Sequence, residues 1–353
     1  MALEINFKKT MMKVLKSLCF VCTICLLVFF SACKKNEKIN FIASKDAAIF
    51  NQLIYKDSLK ENLQKVLPVY KIVWQPKEVN GNYAVVLKNI NTPQYALIIR
   101  GSLIEFSEKG FQNFIIQDFN IFTFKDWPYT DTVKKAAISN GSFVAFDNML
   151  QLKDSTNNKS LEDFLKNELS ENASLIITGH SLGGNMAQTY ASYIWQKLNN
   201  TQRNHTNVIS FGATAVGNKY FVKDLEDKFP LGERYEIEKD IAPKFPSVEK
   251  LGSIASILGI DSALGINANA EGNIAQLIGI VSTVAKGFNL INEENSFEQS
   301  MKHQKSIKSI IKKEVLKEEI EILNIINDAY FYHKMDQYAK HFGAEEIDKI
   351  LKH

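Results

Sequence analysis

The sequence predicts an α/β protein in which helices cover both faces of a mostly parallel central sheet. Short apolar runs of strand length alternate with longer segments whose apolar residues recur at helical spacing. This alternation favours right-handed crossovers between parallel strands. A second observation is the hexapeptide Gly-His-Ser-Leu-Gly-Gly at residues 179–184, which lies between one such strand and one such helix.

The composition is that of an ordinary globular protein. The chain has 353 residues, of which 45% are hydrophobic and 23% are charged. The formal net charge is only +3, so we do not expect a nucleic-acid partner. No feature of the sequence indicates an obligate protein partner.

The first 32 residues have the features of an export signal. Lysines precede an uncharged stretch at 17–33, whose apolar part is too short for a comfortable membrane span. The stretch ends in Ser-Ala-Cys33, which resembles a bacterial lipoprotein signal. We therefore predict a cleaved signal peptide at 1–32, then a lipidated Cys33 and tether at 33–46. This signal predicts an exported lipoprotein, anchored to a membrane at the periplasmic face or cell surface. The alternative is an N-terminal anchor that stays uncleaved.

The lipoprotein interpretation accounts for all four cysteines. Cys19, Cys22 and Cys25 would leave with the signal peptide, and Cys33 would carry the lipid. The mature domain would then hold neither a free thiol nor a disulfide. This excludes cysteine-dependent catalysis and a cysteine-ligated metal site.

The elements before the hexapeptide are predicted from apolar spacing and from turn residues. Asn-Gly-Asn at 80–82 marks a turn between two strands, and Pro68 closes the first helix. The segment 103–129 is rich in aromatic residues and fits either the core or a lid. Strands are predicted at 69–74, 83–87 and 95–99, and helices at 47–67, 132–150 and 161–169.

The sequence predicts a single domain over residues 47–353, which contains the hexapeptide and all of these elements. A helical insertion at about 247–329 contains an apolar, charge-poor segment, 252–286, and a lysine-rich helix, 301–329. The segment 252–286 fits a buried hairpin or a mobile cap. Strands are predicted at 174–178, 207–211 and 235–238, and helices at 185–198 and 221–229.

The hexapeptide fits Gly-x-Ser-x-Gly, the pattern of a serine on a sharp turn between a strand and a helix. Glycines are needed there because strand and helix approach closely and a side chain would collide. The turn exposes the Ser181 hydroxyl at the start of a helix, where backbone N–H groups can stabilise an oxyanion. A serine hydroxyl is a weak nucleophile, so it also needs a base and an orienting acid.

In α/β-hydrolases the acid follows the serine in the chain and the histidine comes last. Asp240 is preferred as the acid because it lies in a loop just beyond a strand end, where such sheets collect reactive groups. Three other acids lie near the same strand: Glu233, Glu236 and Glu238.

Chain order also restricts the choice of base. His180 and His205 precede the acid, and we expect His180 to have a packing or supporting role. The order favours His333, with His341 as a competitor eight residues later. The two others that follow the acid are His303, on the predicted lysine-rich helix, and His353, at the terminus.

Four segments resemble, in order, the motifs of the class 3 lipase family. They are residues 95–102, 178–184, 208–218 and 240–243, and residues 333–338 resemble the histidine motif of the bacterial members. Ala242 and Lys244 depart from the family pattern, which commonly has Val and Arg there.

The resemblance implies an α/β-hydrolase fold with a helical cap before the catalytic histidine. It also implies a triad of Ser181, Asp240 and His333, and an oxyanion hole formed at Ser102 and Leu182. No cofactor and no metal are implied.

The function expected from these residues is hydrolysis of carboxylic esters through an acyl-enzyme on Ser181. A triacylglycerol or acylglycerol lipase is the first hypothesis, with a lipid ester as substrate. The alternatives are a phospholipase or a general carboxylesterase. A hypothesis of another class is a catalytically degenerate hydrolase fold that serves as a surface binding protein.

Overall fold

The computed structural model describes Met11 and residues 39–101, 123–131, 135–244, 296–309, 331–344 and 347–351. The chain divides into two units, Met1–Ile39 and Asn40–His353, and the elements given below belong to the second. Cys33 and Ser102 lie outside the described residues. Among the residues that are described, no helix is long and apolar enough to cross a membrane.

Seven of the strands in the described residues form one central sheet, and two form a small separate sheet. The strands are β1 Tyr70–Trp74, β2 Ala84–Asn89, β3 Gln94–Ile99, β4 Phe124–Asp126, β5 Ala137–Ser139, β6 Ser174–His180, β7 Thr206–Phe211, β8 Glu233–Ile237 and β9 Gln304–Ile307. The order in the central sheet is β1-β2-β3-β6-β7-β8-β9. In this sheet, β2 runs antiparallel to both β1 and β3. The strands β3, β6, β7, β8 and β9 run parallel to one another.

Helices cover both faces of this sheet. They are α1 Ser44–Leu53, α2 Leu59–Val66, α3 Asn140–Leu150, α4 Leu161–Glu168, α5 Leu182–Trp195, α6 Asn200–Asn204, α7 Lys219–Lys228, α8 Met335–His341 and α9 Ile347–Leu351, with a 3-10 turn at Ala242–Lys244.

Side chains that alternate along the strands enter two separate cores. On β3, Leu97 joins the core that contains Tyr190 of α5, whereas Ile98 joins the core that contains Phe50 of α1 and Tyr338 of α8. The predicted α/β-hydrolase architecture, with a mostly parallel sheet between two helical layers, is therefore confirmed.

Two of the predicted helices are interrupted in the structure. The segment 47–67 is predicted as one helix, but the structure has two there, α1 and α2. They are separated by a turn in which Ser58 has φ 55°. The segment 132–150 is also predicted as one helix, but it contains the strand β5, and α3 begins only at Asn140. Ser139 ends the strand because its hydroxyl accepts the Ser142 N–H and caps the helix.

The aromatic-rich segment 103–129 is described only from residue 123. Trp127 is buried with its ring centroid 5.1 Å from that of Phe146, and its Nε1–H donates to Ser192 Oγ at 2.9 Å. This end of the segment therefore belongs to the core. The rest of the segment, on which the lid interpretation depends, lies outside the described residues.

Most of the predicted insertion at 247–329, including 252–286, also lies outside the described residues. Its described part, 296–309, contains β9, which pairs in parallel with β8 at the edge of the sheet. The predicted helix over 301–329 is therefore wrong at its start. His303 is buried just before this strand, against Gly232, and not on an exposed helix face.

Candidate active site

Ser181 stands alone between β6 and α5 with φ 59° and ψ −129°, a backbone conformation that is strained for a serine. Its N–H donates to Phe211 O on the neighbouring strand at 3.0 Å. Its carbonyl accepts the N–H groups of Gly184 and Asn185 at 3.0 and 3.1 Å. These bonds hold the strained turn, and the serine at its tip is partly exposed.

The glycines on either side of Ser181 are required by close backbone contacts. A Cβ on Gly179 would lie 2.1 Å from Gly183 O. A Cβ on Gly183 would lie 2.3 Å from Ile99 O and 2.6 Å from Gly101 N. The first turn of α5 thus packs directly against β6, as the motif predicts, and also against the end of β3.

His333 connects Ser181 to Asp240. Its Nε2 lies 2.8 Å from Ser181 Oγ, and its Nδ1 lies 2.9 Å from Asp240 Oδ2 and 3.0 Å from Oδ1. Because an ionised carboxylate can only accept, Nδ1 carries the ring proton of the neutral histidine. Nε2 is then the acceptor for the serine hydroxyl, which is the tautomer that a general base needs.

The carboxylate of Asp240 is fully buried and held by two further donors. Oδ1 accepts the Ala242 N–H at 2.9 Å, and Oδ2 accepts the Tyr338 hydroxyl at 2.5 Å. Burial, together with the charge of Asp240, raises the pKa of Tyr338 well above its usual value, so the hydroxyl stays protonated as a donor. Asp240 is thereby fixed in one orientation toward His333.

A buried group of charges supports the loop that carries Asp240. Glu236 pairs with Arg234 Nη1 at 2.8 Å and with Lys244 Nζ at 2.6 Å. Burial alone would raise the pKa of Glu236, but these two cations lower it below its usual value. Lys244 Nζ also donates to Asp240 O at 3.0 Å, so the lysine links this group to the acid loop.

The two predicted oxyanion donors differ in what the structure describes. Leu182 is the first residue of α5, where backbone N–H groups have no partner within the helix. Ser102 lies outside the described residues, but Gly101 before it lies beside the elbow. A Cβ on Gly101 would stand 2.6 Å from His180 O.

The competing candidates are not part of this arrangement. His341 ends α8, is exposed, and packs its ring 4.9 Å from that of Phe342. Among the acids, Glu233 accepts the Tyr235 hydroxyl, Glu236 is held in the ion pairs above, and Glu238 is exposed. The structure brings Ser181, His333 and Asp240 together, and it keeps these other candidates apart from them.

Two tyrosines to which the sequence assigned no role contact the site. Tyr338 lies five residues after His333 and ends the motif 333–338, and the structure gives it the role of a donor to Asp240. Tyr55, which binds the Gly101 N–H at 3.0 Å, has no signal in the sequence. No cluster of three or more potential metal-ligating side chains occurs in the part of the chain that the structure describes.

The chain is similar to known lipases in part of its sequence and in its fold. A family model described as Lipase (class 3) matches residues 112–250, which include Ser181 and Asp240. The crystal structure of M37 lipase aligns with a TM-score of 0.68 at 18% identity, over 88% of this chain and 96% of that chain. Lipase II from Rhizopus niveus aligns with a TM-score of 0.47 at 21% identity, over 59% and 74%. No curated protein sequence matches the chain.

Proposed function

We propose that the chain is a carboxylic ester hydrolase of the class 3 lipase type, whose family model matches residues 112–250, and that it cleaves acylglycerol esters through an acyl-enzyme on Ser181. The observation that carries the proposal is the unbroken hydrogen-bonded series from Ser181 Oγ through His333 to Asp240. The fold shared with M37 lipase, a lipase by its name, supports an ester of a lipid as the substrate.

In the acylation step, Ser181 Oγ attacks the ester carbonyl carbon while His333 Nε2 removes the hydroxyl proton. The carbonyl oxygen becomes an oxyanion, which the backbone N–H groups of Leu182 and Ser102 would bind. As the intermediate collapses, the carbon–oxygen bond to the alcohol breaks and His333 returns the proton to the leaving alkoxide oxygen. Asp240 holds the ring tautomer and stabilises the imidazolium during both transfers.

In the deacylation step, a water molecule takes the place of the alcohol. His333 Nε2 removes a proton from this water as its oxygen attacks the acyl carbon. The second tetrahedral intermediate then collapses, the bond to Ser181 Oγ breaks, and His333 returns the proton to the serine. The products are an alcohol and a fatty acid, and the enzyme regains its starting state.

Two measurements on the wild-type protein test this proposal. We expect hydrolysis of p-nitrophenyl butyrate and palmitate and of tributyrin, and we expect a fluorophosphonate to label a single peptide at Ser181. A preference for phosphatidylcholine or for short nitrophenyl esters would favour the phospholipase or carboxylesterase alternative. Absence of both turnover and labelling would leave the degenerate binding protein as the better explanation.

We also propose that the chain is an exported lipoprotein, on the basis of the signal that ends at Cys33. In cells fed an alkyne fatty acid, we expect the wild-type protein to incorporate the label and to enter the detergent phase. Cys33→Ser should lose the label. Cys25→Ser is the matched control, because that cysteine lies inside the apolar stretch and would be removed. Label that persists in Cys33→Ser, or is absent from the wild type, contradicts lipidation at this residue.

A further inference from the structure

A second series of hydrogen bonds runs beside the triad and is not used in the mechanism above. The Gly101 N–H donates to Tyr55 Oη at 3.0 Å, and Tyr55 Oη lies 3.3 Å from His180 Nδ1. His180 Nε2 lies 2.7 Å from His333 O. The series thus joins the end of β3, next to the predicted oxyanion donor, to the backbone of the base.

The direction of each bond follows from the groups at the two ends. His333 O can only accept, so His180 Nε2 carries the ring proton and Nδ1 is an acceptor. The Gly101 amide can only donate, so Tyr55 Oη accepts it and directs its own proton to His180, whose Nδ1 lies at 3.3 Å and whose main-chain O lies at 3.4 Å. Burial, and secondly the neighbouring His333, lowers the pKa of His180 well below its usual value, so this ring stays neutral.

His180 is therefore poorly suited to act as a base itself. Both of its ring nitrogens are engaged, and its side chain is buried. Its ring lies against the ring of His333, with centroids 4.7 Å apart and planes inclined by 33°. It thus contacts the base through both the ring face and the main-chain carbonyl, which are contacts that fix a position and transfer no proton.

We propose that Tyr55 and His180 are positioning residues that hold the end of β3 and the backbone of His333 at a fixed separation. With this separation fixed, the base and the oxyanion donor reach Ser181 in the same geometry at every turnover. The inference rests on the proposed function, because it assigns these residues to the same reaction. A misplacement of about 1 Å in such a site can reduce the rate by about a hundredfold.

Tyr55→Phe tests the proposal with a minimal change. The variant keeps the ring, which packs edge-on against His180 at 5.9 Å, and removes only the oxygen that joins Gly101 to His180. We expect kcat per active site, counted by fluorophosphonate titration, to fall about tenfold to a hundredfold while KM changes by less than about twofold.

Tyr70→Phe is the matched control. Tyr70 lies on the edge strand β1 and is also buried, and its variant also loses the hydrogen bonds of a tyrosine hydroxyl, which donates to Asp46 at 3.0 Å. We expect it to lower the melting temperature with kcat per titrated site unchanged. If Tyr55→Phe also keeps its kcat, or if kcat follows the melting temperature in both variants, the positioning role is wrong.

Two substitutions at His180 test the last bond of the series, from the His180 ring to His333 O. Glutamine can place an amide N–H near the position of Nε2 and donate to His333 O, whereas asparagine reaches only the position of Nδ1. We expect His180→Gln to retain more kcat than His180→Asn, with similar labelled fractions. Equal kcat in the two variants would overturn the proposed hold on His333.

The outcomes separate this inference from the proposed function. Ester hydrolysis and labelling at Ser181 by the wild type, with no effect of Tyr55→Phe, would refute the positioning role alone. Absence of hydrolysis and labelling in the wild type would refute both proposals.

Discussion

Replacement of His333 by alanine is expected to lower kcat for p-nitrophenyl butyrate by about a millionfold, the usual scale for loss of a triad base. In the structure His333 Nε2 is the acceptor 2.8 Å from Ser181 Oγ. Without it the hydroxyl keeps its proton and remains a weak nucleophile at neutral pH. The rate of fluorophosphonate labelling should fall with kcat, because phosphonylation needs the same activated oxygen.

His341→Ala is the matched control, since both histidines satisfy the chain-order rule. His341 is exposed at the end of α8, where its ring packs against Phe342 and lies 6.3 Å from the ring of Tyr235. We expect its kcat and labelling rate to equal those of the wild type. If His341→Ala abolishes labelling and His333→Ala does not, the assignment of the base is reversed.

The two histidines show which part of the site the sequence can predict. Chain order restricts the base to a few candidates, but it does not show which histidine side chain faces Asp240 and Ser181. The choice depends on where α8 begins: His333 precedes the helix and faces Asp240, whereas His341 lies at its other end. That geometry is set by packing of α8 against α1, through residues that are far apart in the chain.

The strands of the fold also differ in how well the sequence predicts them. The strands β3, β6 and β7 are predictable because buried parallel strands are continuous apolar runs. The edge strand β9 buries only Ile307, so its four residues carry no such pattern and its pairing with β8 is purely tertiary. The contact between Tyr55 and His180 spans 125 residues, and no local pattern encodes it.

Asp240→Asn is expected to lower kcat by about ten thousandfold, because the wrong tautomer of His333 becomes the stable one. The Ala242 N–H can only donate, so the asparagine keeps its carbonyl there and turns its NH₂ group toward the position of Oδ2. That NH₂ group would face His333 Nδ1, now 2.9 Å from Oδ2, and favour Nδ1 as an acceptor. The ring proton then moves to Nε2, which can no longer accept the proton of Ser181.

Asp224→Asn is the control for the loss of a buried aspartate. Asp224 pairs with Lys228 at 2.7 Å, and both side chains are buried. Removing its charge leaves an unpaired buried cation, so we expect a clear fall in melting temperature with kcat per titrated site retained. If Asp224→Asn reduces kcat as much as Asp240→Asn does, the loss reflects general destabilisation and not the tautomer.

The double variant His333→Ala/Asp240→Asn tests whether Asp240 acts only through the histidine. Every contact of the Asp240 carboxylate described above leads to His333 or to groups that orient it, Ala242 and Tyr338. If that is its whole role, the aspartate has nothing to orient once the imidazole is gone. We therefore expect the double variant to be no slower than His333→Ala, since residues that act as a unit are not additive. A further large loss in the double variant would mean that Asp240 acts on the reaction independently of His333.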